Sequence, residues 1–205
     1  MLNALRPALD RVLTPVGQAL ARTPITPNAV TVIGTLGVSA GALGLFPVGQ
    51  LFVGTMVCTV FVLADMLDGT LARIKGTSGP WGAFLDSTLD RVADASVFGG
   101  LTLWFMLGGR DRLLAGVALF CLVSGGLVSY AKARAEGLGY RCDVGIAERS
   151  ERLIIGLVAA GLAGLGVPYV LAIGLWILAA LSAVTFGQRV VAVRRAIVAG
   201  RDREA

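Results

Sequence analysis

The chain has 205 residues, 56% of them hydrophobic and only 15% charged, with a mean hydropathy of +0.79. A soluble domain carries about 25% charged residues and no more than about half apolar ones, so the composition excludes both an ordinary cytosolic globule and a charge-rich disordered chain. There is no histidine and the net charge is +5, which removes His-based catalysis and His metal ligands and leaves a surplus of cations to be placed.

Residues 1–22 hold Arg6, Asp10, Arg11 and Arg22 and lack the apolar core of a cleavable signal. Their apolar positions (Leu2, Leu5, Leu9, Leu13, Val16, Leu20) recur every three or four residues. This predicts an amphipathic helix lying on the membrane surface, interrupted at Pro7 and Pro15. Thr23 to Ala64 carry no charge, a run too long for one crossing of about 20 residues. Phe46-Pro47-Val48-Gly49-Gln50 breaks it, giving spans near 28–46 and 51–74. The segment 81–109 has an apolar second half, while its first half carries Asp86, Asp90, Arg91 and Asp94. Leu113 to Ala131 make one further crossing. Leu153 to Gln188 make two, divided at Gly164-Leu165-Gly166-Val167-Pro168.

The expected fold is an all-α integral membrane protein with six transmembrane helices plus the N-terminal interfacial helix. Its divisions are a juxtamembrane helix over 1–22, a six-helix domain over 23–195 and a polar C-terminal tail over 196–205. The three cysteines, Cys58, Cys121 and Cys142, stand far apart and suggest neither a disulfide nor a zinc site. With six spans, Arg22, Arg73, Lys75, Lys132, Arg134, Arg149, Arg152 and the C-terminal arginines share one side. The other has only Arg110 and Arg112. That asymmetry places both termini in the cytoplasm.

The chemistry concentrates in Asp65-Met66-Leu67-Asp68-Gly69-Thr70-Leu71-Ala72-Arg73 and its continuation to Gly82, Asp86 and Asp90. Asp65 and Asp68 are three apart and Asp86 and Asp90 four apart, so each pair shares a helix face. Ionised carboxylates at a membrane boundary are costly and usually functional. Four together repel one another unless cations are bound, and hard oxygen ligands select Mg²⁺, Mn²⁺ or Ca²⁺. Two divalent ions would neutralise the four carboxylates and suit phosphoryl transfer, with Arg73 as a phosphate donor at the same depth. Gly69 and Gly82 remove side chains where a ligand or another helix must come close. Asp94 continues the Asp86–Asp90 face and is expected as a supporting acid or as the partner of Arg91.

These residues fill D-x2-D-G-x2-A-R-x8-G-x3-D-x3-D without departure, and at this point the chain resembles the CDP-alcohol phosphotransferase family. The resemblance implies that Asp65, Asp68, Asp86 and Asp90 hold two Mg²⁺ ions, with Mn²⁺ as a substitute, and that Asp90 is also the general base. It implies a CDP-diacylglycerol donor contacted by Asp68, Gly69 and Arg73, by Asn28 and Thr31 in the opening of the first span, and by Ser78. It also implies a homodimer in the bacterial cell membrane with the active site facing the cytoplasm. The glycine pairs Gly99-Gly100 and Gly125-Gly126 would permit close helix contact. Membrane lipids are the expected surroundings, and no nucleic acid is an expected partner.

The motif is silent on the acceptor. Lys132 and Arg134 end the fourth span, Arg152 opens the fifth and Arg189 lies near the end of the sixth. Converging cations beside an acidic site suit a phosphate-bearing alcohol, while the positive-inside rule alone would also place basic residues there. The segments Ser129-Tyr130-Ala131-Lys132-Ala133-Arg134-Ala135-Glu136 and Glu148-Arg149-Ser150-Glu151-Arg152 resemble those of family members acting on inositol 1-phosphate. On that resemblance, Lys132, Arg134, Arg152 and Arg189 would bind the acceptor phosphate. Glycerol 3-phosphate is the alternative acceptor. A divalent-cation transporter is a remote alternative, since the acids sit at one edge beside arginines rather than at the midplane.

Overall fold

The computed structural model describes residues 15–204. Most of the amphipathic helix expected over 1–22 lies outside them; residues 15–21 are helical and are called α1. There follow α2 (Pro27–Leu45), α3 (Leu51–Lys75), α4 (Pro80–Leu107), α5 (Arg112–Gly137), α6 (Arg149–Gly164) and α7 (Val170–Glu204). All seven elements are helices, and α7 runs on as helix through the boundary drawn at 195.

Local chemistry accounts for the ends. Thr26 caps α2, its side chain accepting from the Ala29 N–H at 3.2 Å, and Pro27 occupies the first turn, where no N–H is missed. Asp111 caps α5 in the same way, accepting from Leu114 at 3.0 Å. α3 stops at Gly76, whose φ of +64° is the left-handed conformation that glycine adopts without strain. Both breaks expected from proline and glycine fall where the chain turns, at 46–49 and 165–169.

Among the described residues, four helices are long and apolar enough to cross a membrane: α2, α3, α5 and the Val170–Ala199 part of α7. α4 is long, with 28 residues, but carries the acidic motif in its first half. α6 has 16 residues, about 24 Å of helix against a hydrocarbon core of about 30 Å.

The helices pack as a ring in the order α2, α4, α5, α7, α6, α3 and back to α2. Its interior is filled by residues such as Phe46, Cys58, Val97, Phe98, Leu101, Leu157, Leu175 and Leu178. In lipid, helix association depends on close van der Waals approach rather than on expelled water, and glycines provide it. A Cβ at Gly100 of α4 would collide with the Ala42 carbonyl of α2, and one at Gly164 of α6 with the backbone of Phe52 in α3. Gly125 of α5 meets the Arg152 guanidinium, so Gly100 and Gly125 serve contacts inside the chain. All three cysteines are buried and free. α1 lies against the end of α3, where a Cβ on Gly17 would stand 3.0 Å from Thr70 Cγ2.

Candidate active site

The turn between α3 and α4 is four residues long and brings the two halves of the motif together. The Thr77 N–H returns to the Ala72 carbonyl at 3.0 Å, and Pro80 starts α4 at once. Asp65 and Asp68 then face Asp86 across the turn, and the three offer carboxylate oxygens within 4.8 Å of one another. One oxygen of Asp65, Oδ1, is buried with no hydrogen-bond partner. Gly34 of α2 makes room for it, since a Cβ there would lie 3.2 Å from that oxygen. Asp68 is held from both sides: the Thr31 hydroxyl donates to Oδ2 at 2.5 Å, and the Gly69 N–H donates to Oδ1. An orphaned buried carboxylate oxygen among converging acids fits a divalent cation, whose hard charge would satisfy it.

Beside these acids a cavity of about 440 Å³ opens between the starts of α2 and α4 and the end of α3. Asn28, Thr31, Asp68, Gly69, Ser78, Gly82 and Asp86 all line it. Asp68, Gly69, Gly82 and Asp86 of the motif therefore share one space with Asn28, Thr31 and Ser78, whereas Asp65, Arg73 and Asp90 are not among its lining residues. Among the described residues no other element approaches Gly69, and a Cβ on Gly82 would meet only Asn28 Oδ1 at an ordinary 3.7 Å. Of the two alternatives expected for these glycines, close approach of a ligand or of another helix, the open space beside them in the cavity favours the ligand. Arg73 is exposed and folds back along its own helix, its Nε donating to the Gly69 carbonyl at 3.3 Å and its Nη2 to Thr70 Oγ1 at 3.2 Å.

Asp90 is not among the three converging acids. Its Oδ1 lies 2.7 Å from Arg149 Nη1, and Arg91 stands 3.6 Å from its other oxygen. Asp94 pairs with Arg149 and Arg152, each at 3.2 Å, so the expected partnership with Arg91 is corrected: Arg91 faces Asp90, and Asp94 turns toward α6.

The four cations expected at the acceptor are dispersed in character. Arg152 is 1% exposed and donates to Asp94 and the Ala147 carbonyl. Arg189 is also buried and donates to the carbonyls of Val144 and Val128. With Thr185, whose hydroxyl accepts from the N–H groups of Ile146 and Ala147, it clamps the 138–148 loop to α7. Lys132 is half-buried and donates to Asp143 at 2.8 Å. This bond holds the Asp143 carboxyl below the usual carboxylate range. Arg134 is exposed on the same helix. A second hollow of about 600 Å³, between this loop and α7, includes none of the aspartates.

Sequence reasoning missed three participants. Lys75 lines the cavity and donates to the carbonyls of Thr23 and Ile25 at 2.9 and 2.7 Å, binding the approach to α2 onto the end of α3. Gly34 accommodates Asp65 and left no trace in any motif. Arg149 was findable, because it lies three residues before Arg152 and shares its helix face.

Residues 24–186 match the family model for CDP-alcohol phosphatidyltransferases, and the chain belongs to that family. It is 52% identical over 203 residues to the phosphatidylinositol phosphate synthase of Streptomyces avermitilis, covering 95% of this chain and 83% of that one. To the synthase of Mycobacterium marinum it is 49% identical over 191 residues, covering 92% and 82%. A crystal structure of the Mycobacterium tuberculosis synthase with CDP-DAG bound superposes with a TM-score of 0.85 at 47% identity, over 89% of this chain and 94% of that one. Another, of the same enzyme with manganese and citrate, also reaches 0.85 at 47% identity, over 88% of each chain.

Proposed function

We propose that this chain transfers the phosphatidyl group of CDP-diacylglycerol to inositol 1-phosphate, giving phosphatidylinositol phosphate and CMP. The observation that carries the reading is the convergence of Asp65, Asp68 and Asp86, the last two on the wall of a cavity that Asn28, Thr31, Gly69 and Ser78 also line. The names of the relatives support the donor and the acceptor.

In this reading Asp65, Asp68 and Asp86 hold divalent metal, two Mg²⁺ ions with Mn²⁺ as a substitute, and Asp90 completes the set from α4. When bound, the ions supply positive charge against the pyrophosphate and the departing CMP. Thr31 keeps the Asp68 carboxylate turned toward the cavity. Asn28, Gly69, Arg73 and Ser78 receive the CDP portion of the donor. The acceptor hydroxyl gives its proton to Asp90, the general base, while its oxygen bonds to the phosphorus that bears the diacylglycerol. The bond from that phosphorus to CMP breaks, and CMP carries the electron pair away. Lys132 and Arg134 meet the acceptor phosphate from α5. Arg152 and Arg189 shape the same region from α6 and α7.

The fold reading completes the proposal. All six ring helices cross the bacterial cell membrane, α1 lies at the interface, and both termini and the acidic site face the cytoplasm. The cations of residues 132–152 and of the α7 end support that orientation. The working unit is a homodimer of chains, each with a 23–195 catalytic domain.

The test is CMP release from CDP-diacylglycerol by the purified protein in detergent with Mg²⁺ or Mn²⁺, offered inositol 1-phosphate, inositol or glycerol 3-phosphate separately. Turnover confined to inositol 1-phosphate supports the reading. Turnover with glycerol 3-phosphate alone replaces the acceptor, and no turnover with any of them overturns the assignment.

A further inference from the structure

Asp90 and Asp94 lie one turn apart on α4, and both reach toward the start of α6. One guanidinium spans them: Arg149 Nη1 is 2.7 Å from Asp90 Oδ1, and its Nε is 3.2 Å from Asp94 Oδ1. Arg152 Nη2 takes the second oxygen of Asp94 at 3.2 Å, while its Nη1 donates to the Ala147 carbonyl. The Ala147 N–H in turn donates to Thr185 of α7 at 3.0 Å. Two acids and two arginines thus form an ion-paired quartet, with Arg91 at its edge 3.6 Å from Asp90, anchored to a third helix and distinct from the Asp65–Asp68–Asp86 convergence.

The placement of the arginines runs against local preference. Arg149 and Arg152 both sit in the first turn of α6, where the positive end of the helix dipole disfavours cations. Their side chains are also well withdrawn from solvent, 26% and 2% exposed. Such an arrangement persists only where the partners across the gap compensate it, and Asp90 and Asp94 are those partners. The bridge also needs arginine in particular. A planar guanidinium presents several donors in a fixed fork, whereas a lysine ammonium is a point charge that would hold one carboxylate or the other.

We infer that Arg149 is a positioning residue for Asp90. It holds Oδ1 toward α6 and leaves Oδ2 as the oxygen that accepts the proton of the acceptor hydroxyl. Arg91 Nη2, at 3.6 Å from Oδ2, is too distant to fix that oxygen by a hydrogen bond. Asp94 and Arg152 set the plane of the Arg149 guanidinium. The inference rests on the proposed role of Asp90 as base.

The experiment compares Arg149→Gln, Arg149→Lys and Asp94→Asn with the wild type. It measures kcat, separate KM values for CDP-diacylglycerol and inositol 1-phosphate, and Mn²⁺ affinity by electron paramagnetic resonance. Misplacing a catalytic group by about 1 Å can cost on the order of 100-fold. Arg149→Gln is expected to lower kcat by about 10- to 100-fold while both KM values and the Mn²⁺ affinity stay within about threefold. Arg149→Lys should recover part of that loss, and Asp94→Asn should lower kcat in the same direction. In the double variant of Asp94→Asn with Arg149→Gln, the two losses should not multiply, because both act through one carboxylate. A kcat within twofold of wild type overturns the inference. So does a rise in the acceptor KM with kcat unchanged, which would make Arg149 a ligand of the acceptor phosphate. If Arg149→Gln does not fold, judged by gel filtration, Arg149→Lys decides on the same criteria. A wild type without turnover overturns the functional reading and this inference together, whereas active variants beside an active wild type overturn this inference alone.

Discussion

The Thr31 hydroxyl of α2 donates to the Asp68 carboxylate of α3 at 2.5 Å, joining the opening of the first long helix to the acidic motif. Thr31 is buried, and Asp68 takes its other hydrogen bond from the Gly69 N–H. A hydrogen bond to a charged group contributes about 1.5–3 kcal/mol. Thr31→Val, which keeps the shape and removes the donor, should lower kcat/KM for CDP-diacylglycerol by about tenfold or more. Thr31→Ser should stay near wild type. Equal activity in the valine and serine variants would remove this bond from the account of donor binding.

Metal dependence follows from the three converging carboxylates. Exhaustive chelation should abolish CMP release, and added Mg²⁺ or Mn²⁺ should restore it. Asp65→Asn and Asp86→Asn should each weaken Mn²⁺ binding, measured by titration of the purified protein, and leave little turnover. Full activity after chelation would sink the metal reading.

Asp90→Asn should spare donor binding better than it spares chemistry. A general base contributes about 10²–10⁴-fold to rate. The loss should exceed that range, because in the proposed reading Asp90 is a metal ligand as well as the base. Near-normal kcat in this variant would exclude Asp90 as the base.

Arg152→Ala is expected to destabilise the protein before it alters any substrate constant. The side chain is 1% exposed and paired to Asp94, which is itself buried. Removing one partner of a buried ion pair costs about 3–5 kcal/mol, since a charge is left uncompensated. Thermal unfolding in detergent is the measurement. Wild-type stability accompanied by a raised inositol 1-phosphate KM would instead make Arg152 a direct ligand.

Lys132 is a half-buried acceptor-side cation whose ammonium is paired with the exposed Asp143. Lys132→Gln should raise the inositol 1-phosphate KM roughly fivefold, the worth of an exposed charge pair of about 1 kcal/mol, and leave the CDP-diacylglycerol KM unchanged. Asp143→Asn should lower the acceptor KM, because it releases the ammonium from its present bond. A change confined to the donor constant would move the phosphate subsite elsewhere.

Much of this protein is set along the chain itself. Uncharged runs broken by Pro47 and by the 164–168 turn define five of the six ring helices, and the apolar second half of 81–109 marks the sixth, because a helix of given length and polarity needs no distant information to be recognised. The spacing of Asp65 with Asp68, and of Asp86 with Asp90 and Asp94, puts each set on one helix face, because the α-helical period decides direction from the axis. What each face meets is decided by the ring order of the helices. Asp86 turns toward the α3 acids, while Asp90, one turn further along α4, comes within reach of Arg149 on α6. Arg152 and Lys132 carry the same charge in the sequence, yet one is sealed against Asp94 and Gly125 and the other borders solvent. Gly34 acquires meaning only because α2 lies against Asp65. Helical periodicity is a local property, whereas burial and ion pairing depend on which helix packs alongside, and that is settled by contacts between residues dozens of positions apart.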